Sequence, residues 1–211
     1  MAEVIEYFYS TRSSFTYLGH AEIVRLAAQH GRRLVHRPVF LSVVVPGTGG
    51  IPFQDRHPAR LAQAWEDLQR WAELRGIPIQ PQDPKHHYGT LELPSGLVAA
   101  AQRDVAVGQP ALDALALEIL AALWRDDRDI ADPDVLTELC EAAGIDAAEE
   151  LLDSALTPEV QSEIQANSEE AVARGIIGAP TYVIDGAAFF GQDRLDFVAR
   201  ALQAAGRRGE A

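Results

Sequence analysis

Hydrophobic and polar positions follow two different spacings on either side of residue 13. Residues 4–9 alternate branched or aromatic side chains with shorter polar ones, which predicts a β-strand. After a short polar turn, apolar positions recur at helical intervals, at Tyr17, Ala21, Val24 and Ala28. The pattern therefore predicts a strand, a turn that contains two serines, and a helix.

Beyond this helix the chain predicts a second strand and then a mostly helical section. His30-Gly31 indicates the end of the helix, because glycine readily adopts the left-handed conformation of a C-cap. Residues 33–41 predict a strand parallel to the first, reached through a right-handed crossover. A loop rich in glycine and proline at residues 45–52 opens a helical section that runs to about Arg174. Helices in that section are predicted to begin near Pro58, Ser95, Pro110, Asp132-Pro133, Asp146 and Thr157-Pro158.

The end of the chain returns to β-structure. Residues 181–184 and 187–190 predict two short strands joined by Asp185-Gly186, a favoured two-residue hairpin turn. Asp193 is then predicted to cap a final helix, and Asp196 adds negative charge to its first turn.

The predicted order is thus strand-helix-strand, a helical block, and then a hairpin and a helix. Without the block, a small βαβ-ββα sheet domain remains, which is the thioredoxin layout. We therefore predict an α/β protein with a thioredoxin-like fold and a large all-helical insertion between the two halves. Residues 1–45 and 176–211 are assigned to the thioredoxin-like domain, and residues 46–175 to the insertion.

Composition and charge narrow the class of protein and of partner. The 211 residues are 47% hydrophobic, which is typical of a globular protein. The net charge of −13 argues against nucleic acid or an anionic membrane surface as a partner. No apolar run approaches the thickness of a bilayer, and Met1-Ala-Glu does not resemble the start of a signal peptide. We expect a cytoplasmic protein.

Cysteine and histidine usage argues against redox and metal chemistry. Cys140 is the one cysteine, so neither an internal disulfide nor a dithiol redox pair can form, and its position on an apolar helix face indicates packing. His86-His87 lacks a recognised ligand spacing, so we expect no metal site.

Two stretches carry candidate chemistry. Ser13 and Ser14 stand where a strand becomes a helix, and a hydroxyl there either caps the helix or meets an anion at the positive end of the helix dipole. Pro180 follows a glycine-containing turn and precedes a strand. A cis peptide bond there would expose the preceding backbone for pairing with an extended ligand, whereas a trans proline would simply begin an edge strand. In a thioredoxin layout the two stretches are neighbours.

These stretches also carry a resemblance to a known family. The chain resembles the 2-hydroxychromene-2-carboxylate isomerases and the related kappa-class glutathione transferases, and more distantly the DsbA-type periplasmic disulfide oxidoreductases. The resemblance rests on Ser13-Ser-Phe-Thr-Tyr-Leu-Gly, Arg70-Trp-Ala-Glu-Leu-Arg-Gly-Ile-Pro, Gly178-Ala-Pro-Thr and Phe189-Phe-Gly-Gln-Asp-Arg-Leu. Ser13 matches the active serine of the family. Ser14 stands where many members have proline, so both hydroxyls stay candidates.

The resemblance implies glutathione as cofactor and a homodimer as the assembly. It implies that Ala179 and Pro180 pair with the cysteinyl part of glutathione, and that Gln192 and Asp193 hold its γ-glutamyl end. Arg60 matches a basic residue that meets a carboxylate. A serine cannot form a disulfide, but its hydroxyl can donate to a thiolate and lower the pKa of that thiol.

The function implied is a glutathione-dependent isomerase that acts on an unsaturated acid derived from an aromatic compound. The thiol would add reversibly and serve as a borrowed nucleophile. Trp65 and Trp71 are candidates for shaping the substrate pocket. Two alternatives stay open: a glutathione transferase that conjugates irreversibly, and a thioredoxin-fold binding protein without catalytic activity.

Overall fold

The strands and helices follow the predicted order. The computed structural model describes residues 4–209, which contain four strands and nine α-helices. The strands are β1 (Val4–Tyr9), β2 (Arg33–Pro38), β3 (Thr181–Ile184) and β4 (Ala187–Phe190). The helices are α1 (Ser14–Gln29), α2 (Leu41–Gly47), α3 (Pro58–Arg75), α4 (Glu92–Arg103), α5 (Gln109–Trp124), α6 (Pro133–Ala142), α7 (Ala148–Ala155), α8 (Pro158–Ala173) and α9 (Leu195–Gly209). Short 3₁₀ turns lie at Phe53–Asp55 and Gln192–Arg194.

The four strands form one mixed sheet in the order β2-β1-β3-β4. β1 is parallel to β2, as predicted, and antiparallel to β3, with Phe8 opposite Thr181. β3 and β4 form the predicted hairpin, in which Asp185 and Gly186 both have positive φ angles, of 49° and 86°. Two positive φ angles are what a two-residue hairpin turn of this kind requires. The predicted thioredoxin-like fold is therefore confirmed.

The two faces of the sheet pack against different helices. Tyr7, Tyr9 and Tyr182 point into the larger cluster, which also contains apolar residues of α1, α3 to α7 and α9. Phe8 and Val183 point to the opposite face, where they meet Val44 of α2 and residues around α8. Successive residues of a strand point to opposite faces, so β1 contributes to both clusters. The helical section thus shares its hydrophobic core with the sheet, while the proposed domain boundaries stay a prediction.

Residues 41–47 correct the prediction for the second strand and the following loop. β2 ends at Pro38, and Leu41 begins α2, which contains Pro46. Packing explains the helix: Val44 and Val45 are buried, and the backbone of Gly47 lies so close to Val172 that a Cβ there would be 2.8 Å from its side chain. The other predicted starts are close, although α4 begins at Glu92 and α7 at Ala148.

Within residues 4–209, no helix combines the length and the apolar composition needed to cross a bilayer.

Candidate active site

Two loops meet at one edge of the sheet. β1 ends at Tyr9 and the chain turns into α1 at Ser14, while β3 begins at Thr181, opposite Phe8. Because β1 and β3 are antiparallel, the end of β1 lies beside the start of β3. The turn that holds Ser13 is therefore next to the loop that holds Ala179 and Pro180. The peptide bond between Ala179 and Pro180 is cis, which is the first of the two alternatives that the sequence left open.

Ser13 is the N-cap of α1. Its backbone is extended, with φ −73° and ψ 119°, and its Oγ accepts a hydrogen bond from the backbone N–H of Thr16 at 3.2 Å. A hydroxyl has one donor and two acceptor positions, so the cap leaves the Ser13 proton available to a ligand. Capping and ligand binding are thus compatible at this residue. Ser14 is the first residue of α1, and its hydroxyl makes no hydrogen bond to any residue that the structure describes.

The helical section holds the Ser13 turn in place. The indole N–H of Trp124, at the end of α5, donates to the carbonyl of Arg12 at 2.7 Å. The hydroxyls of Thr11 and Ser95 lie 3.2 Å apart, and Ser95 belongs to α4. Both contacts are long-range in sequence. The insertion therefore fixes the conformation of the turn that presents Ser13.

Ala179 has backbone groups available for pairing. The carbonyl of Pro180 accepts from the N–H of Gly191 at 2.8 Å, and the Thr181 hydroxyl donates to the carbonyl of Gly178 at 2.7 Å. Within residues 4–209, neither the N–H nor the carbonyl of Ala179 has a backbone partner, and the residue is partly exposed. An extended peptide could pair there as an added strand does.

Gln192 and Asp193 lie in the 3₁₀ turn that precedes α9 and contacts α1. Gln192 is 2% exposed, and its buried side-chain oxygen has no hydrogen-bond partner among the described residues. Asp193 is exposed, and its carboxylate pairs with Arg194 at 2.6 Å. Such a surface pair contributes little, so a ligand ammonium group could compete with Arg194.

The prediction that Asp193 caps the final helix is wrong. α9 begins at Leu195, and Asp193 lies inside the preceding turn instead of directly ahead of the helix. Its carboxylate accepts from Arg194, and no backbone N–H of the described part of the chain donates to it.

Arg75 is a site residue that the sequence reasoning did not single out. Its guanidinium donates to the carbonyl of Leu18 at 2.8 Å and to the carbonyl of Gln192 at 3.0 Å, and it lies 5.3 Å from the centre of the Trp71 ring. Burial lowers the pKa of Arg75, and nearby acidic groups partly offset this. Arg75 thus ties the end of α3 to α1 and to the turn that carries Gln192. Arg75 lies within one of the stretches that carry the family resemblance, and this position was the signal in the sequence that could have identified it.

The other predicted residues are placed differently. Arg60 lies in the first turn of α3 and is exposed, and its guanidinium makes no hydrogen bond or ion pair with a residue in the described range. The structure does not bring it into contact with the Ser13 edge, and its role stays a prediction. Trp65 and Trp71 are partly buried against the main core, whereas Trp124 is the tryptophan bonded to the Ser13 turn.

Cys140 is buried in α6, and burial raises the pKa of its thiol to about 11. A thiol held neutral in this way is a poor nucleophile at neutral pH. His86 lies 3.4 Å from a carboxylate oxygen of Asp129. Within residues 4–209, no group of three or more histidine, cysteine, aspartate or glutamate residues is arranged to hold a metal ion.

Comparison with known proteins places this geometry in a family. The model of the family described as DSBA-like thioredoxin domain matches residues 4–203. The 2-hydroxychromene-2-carboxylate isomerase of Sphingobium xenophagum is 25% identical over 202 residues, which cover 94% of this chain and 97% of that protein. Human glutathione S-transferase kappa 1 is 26% identical over 212 residues, which cover 96% of this chain and 92% of that protein. A solved structure of a 2-hydroxychromene-2-carboxylate isomerase superposes with a TM-score of 0.78 at 22% identity and covers 98% of each chain.

Proposed function

The chain belongs to the family of DSBA-like thioredoxin domains, and we propose that it is a glutathione-dependent isomerase of the 2-hydroxychromene-2-carboxylate isomerase type. One observation carries the proposal: the Ser13 hydroxyl is held at the start of α1 by its cap to Thr16, while its proton remains free to donate. Relatives named as an isomerase and as a glutathione transferase, similar over nearly the whole chain, support an enzyme that acts on a small molecule.

The residues around Ser13 fit a tripeptide thiol. Ala179 offers unpaired backbone groups to the cysteinyl part, beside Pro180. The buried side-chain oxygen of Gln192 has no hydrogen-bond donor within residues 4–209, so it can accept from an ammonium or amide N–H of the γ-glutamyl end. Asp193 supplies a carboxylate for the same end, and Arg60 is proposed to meet a carboxylate of the ligand.

When bound, glutathione would supply a thiol nucleophile for reversible addition to a double bond of the substrate. Ser13 would hold the sulfur by donating a hydrogen bond to the thiolate, which favours the charged form of the thiol and lowers its pKa. The N-terminal end of α1 adds the favourable partial charge of the helix dipole at the same point. Trp124 and Ser95 keep the turn rigid, so Ser13 is positioned before the ligand arrives.

A glutathione transferase of the kappa type is the second candidate, since the human kappa enzyme is as similar as the isomerase. Both enzymes would use the same activated thiol. They differ in whether the thiol leaves the product. Analysis of the product by mass spectrometry distinguishes them, because conjugation retains the glutathione mass and isomerisation does not.

The test is a calorimetric titration with glutathione, followed by the ultraviolet absorbance of the bound thiolate against pH. We expect binding and a bound-thiol pKa below that of free glutathione. Binding without a lowered thiol pKa would support a binding protein without catalytic activity, and absence of binding would contradict the proposal.

A further inference from the structure

Arg12, next to Ser13, is a partly buried cation whose guanidinium has few partners among the described residues. Its Nη2 donates to the carbonyl of Gly89, in the loop before α4, while its buried Nε has no hydrogen-bond partner in the part of the chain that the structure describes. Within residues 4–209, no aspartate or glutamate lies within ion-pair distance of its guanidinium. Arg75 is also partly buried without an ion pair in this range, but its guanidinium donates to two carbonyl groups, whereas that of Arg12 donates to one.

Burial makes this charge costly and so favours an anion as its partner. Burial lowers the pKa of Arg12, and electrostatic interactions with Tyr88 and Glu92 partly offset the effect. A guanidinium has five N–H donors in a planar fork that matches a carboxylate. The one bond to Gly89 leaves most of these donors unused, so a ligand carboxylate would satisfy both the charge and the hydrogen bonds.

Aromatic rings border the same place. His87 is 8% exposed, and its Nδ1 has no hydrogen-bond partner in the described range. Its ring centre lies 5.1 Å from that of Trp124. The ring centres of Tyr88 and Phe53 lie 4.9 Å and 6.0 Å from that of His87, and these two side chains are 67% and 38% exposed. Burial lowers the pKa of His87; the carboxylate of Asp83 opposes this effect, and the charge of Arg12 adds to it. The cluster therefore combines one cation, one imidazole and exposed ring faces.

We propose that Arg12, His87, Phe53 and Tyr88 form a subsite for a planar ligand that carries a carboxylate. The carboxylate meets the Arg12 guanidinium, and the planar part lies against Phe53 and Tyr88. Trp124 joins this subsite to the Ser13 turn, since its indole N–H donates to the Arg12 carbonyl and its ring contacts the ring of His87. The binding of planar carboxylates at this subsite is independent of the proposed function. The identification of the bound ligand as the isomerase substrate rests on the proposed function.

The experiment compares two probes of the same shape, trans-cinnamate and its neutral amide, by calorimetric titration without glutathione. We expect the wild-type protein to bind cinnamate more tightly than the amide. Arg12→Met should weaken cinnamate binding about ten- to a hundredfold, as expected for a hydrogen bond between charged groups, and leave amide binding nearly unchanged. Phe53→Ala should weaken the binding of both probes, because it removes ring contact and no charge.

Arg33→Met is the control with the same loss of charge. Arg33 is exposed at the start of β2, where it pairs with Val4. Val4 lies at the end of β1 away from the Ser13 turn, roughly 20 Å from it at about 3.3 Å per strand residue. Arg33→Met should leave the binding of both probes unchanged. Equal affinity of the wild-type protein for the two probes, no binding of cinnamate, or an unchanged cinnamate affinity in Arg12→Met would overturn the proposal. If Arg12→Met does not fold, the proposal is still tested by the affinities of the wild-type protein for the two probes and by the effect of Phe53→Ala on both.

A separate glutathione titration distinguishes this proposal from the proposed function. We expect the dissociation constant of Arg12→Met for glutathione to stay within about twofold of the wild-type value, because the tripeptide does not contact Arg12 in this proposal. Loss of glutathione binding with cinnamate binding intact would mean that Arg12 holds a carboxylate of glutathione, and would overturn the subsite. If the wild-type protein binds cinnamate but not glutathione, the proposed function fails and the subsite stands.

Discussion

Acidification is expected to destabilise the protein through His20, a buried residue of α1. The His20 Nε2 lies 2.9 Å from the carbonyl oxygen of Asp113, and its Nδ1 lies 3.4 Å from the hydroxyl of Tyr7. The two contacts fit a neutral ring that donates from Nε2 and accepts at Nδ1. Burial, and to a smaller extent the neighbouring His36, lower the pKa of His20 to about 4.

The magnitude follows from proton linkage. In the unfolded chain His20 has an ordinary histidine pKa of about 6.5, so it takes up a proton at a higher pH than in the folded protein. The stabilisation is complete above pH 6.5 and is lost as the pH falls from there toward 4. At about 1.4 kcal/mol for each pH unit between the two pKa values, the full loss is roughly 3 kcal/mol.

The assay is urea unfolding of the wild-type protein and of His20→Gln at pH 7.5 and at pH 4.5. Glutamine does not titrate, and its amide can still donate to the Asp113 carbonyl. We expect the unfolding free energy of the wild-type protein to fall by about 2–3 kcal/mol more than that of the variant over this range. Equal losses in the two proteins, or a His20 ring that titrates near pH 6.5 by nuclear magnetic resonance, would refute the reasoning.

Three further changes test other parts of the account. Gly19→Ala places a Cβ 2.7 Å from the Tyr182 hydroxyl and 2.8 Å from the Gln192 Cβ. The overpacking should cost roughly 1–3 kcal/mol, which exceeds the gain of about 1 kcal/mol in helix propensity. We therefore expect a lower melting temperature and weaker glutathione binding. Arg75→Met removes the bonds to the Leu18 and Gln192 carbonyls and should also weaken glutathione binding in titrations, whereas Arg70→Met, at an exposed position of the same helix, should not. Cys140→Ser should leave turnover nearly unchanged, because burial raises the thiol pKa to about 11; a large loss of activity would reveal a thiol mechanism.

The sequence predicted correctly the elements that are determined by residues close together in the chain. The change of spacing at Ser13, the Asp185-Gly186 turn and the prolines at helix starts each determine the backbone within a few residues, and the structure has all three. Residues 41–47 could not be predicted in this way, since their valines favour a strand and only packing against α8 makes them helical.

The candidate site shows the same limit. Ser13, Ala179 and Pro180 could be placed together because the order of strands determines which loops are neighbours. Arg75 and Trp124 act through carbonyl groups of residues 57 and 112 positions away, and no local pattern indicates such contacts. The prediction that Asp193 caps the last helix was wrong because a 3₁₀ turn, which has no distinct sequence signal, precedes that helix.

The role of Ser13 is tested most directly by the pKa of the bound glutathione thiol, followed by thiolate absorbance against pH in the wild-type protein, Ser13→Ala and Ser14→Ala. Loss of a hydrogen bond to a charged group is worth about 1.5–3 kcal/mol, so Ser13→Ala should raise the bound-thiol pKa by about one to two units. The variant should stay folded, at a cost of roughly 0.5–2 kcal/mol for the lost cap, and Ser14→Ala should behave like the wild-type protein. A folded Ser13→Ala protein with an unchanged thiol pKa would contradict the proposed mechanism, and a raised pKa in Ser14→Ala alone would transfer the role to Ser14.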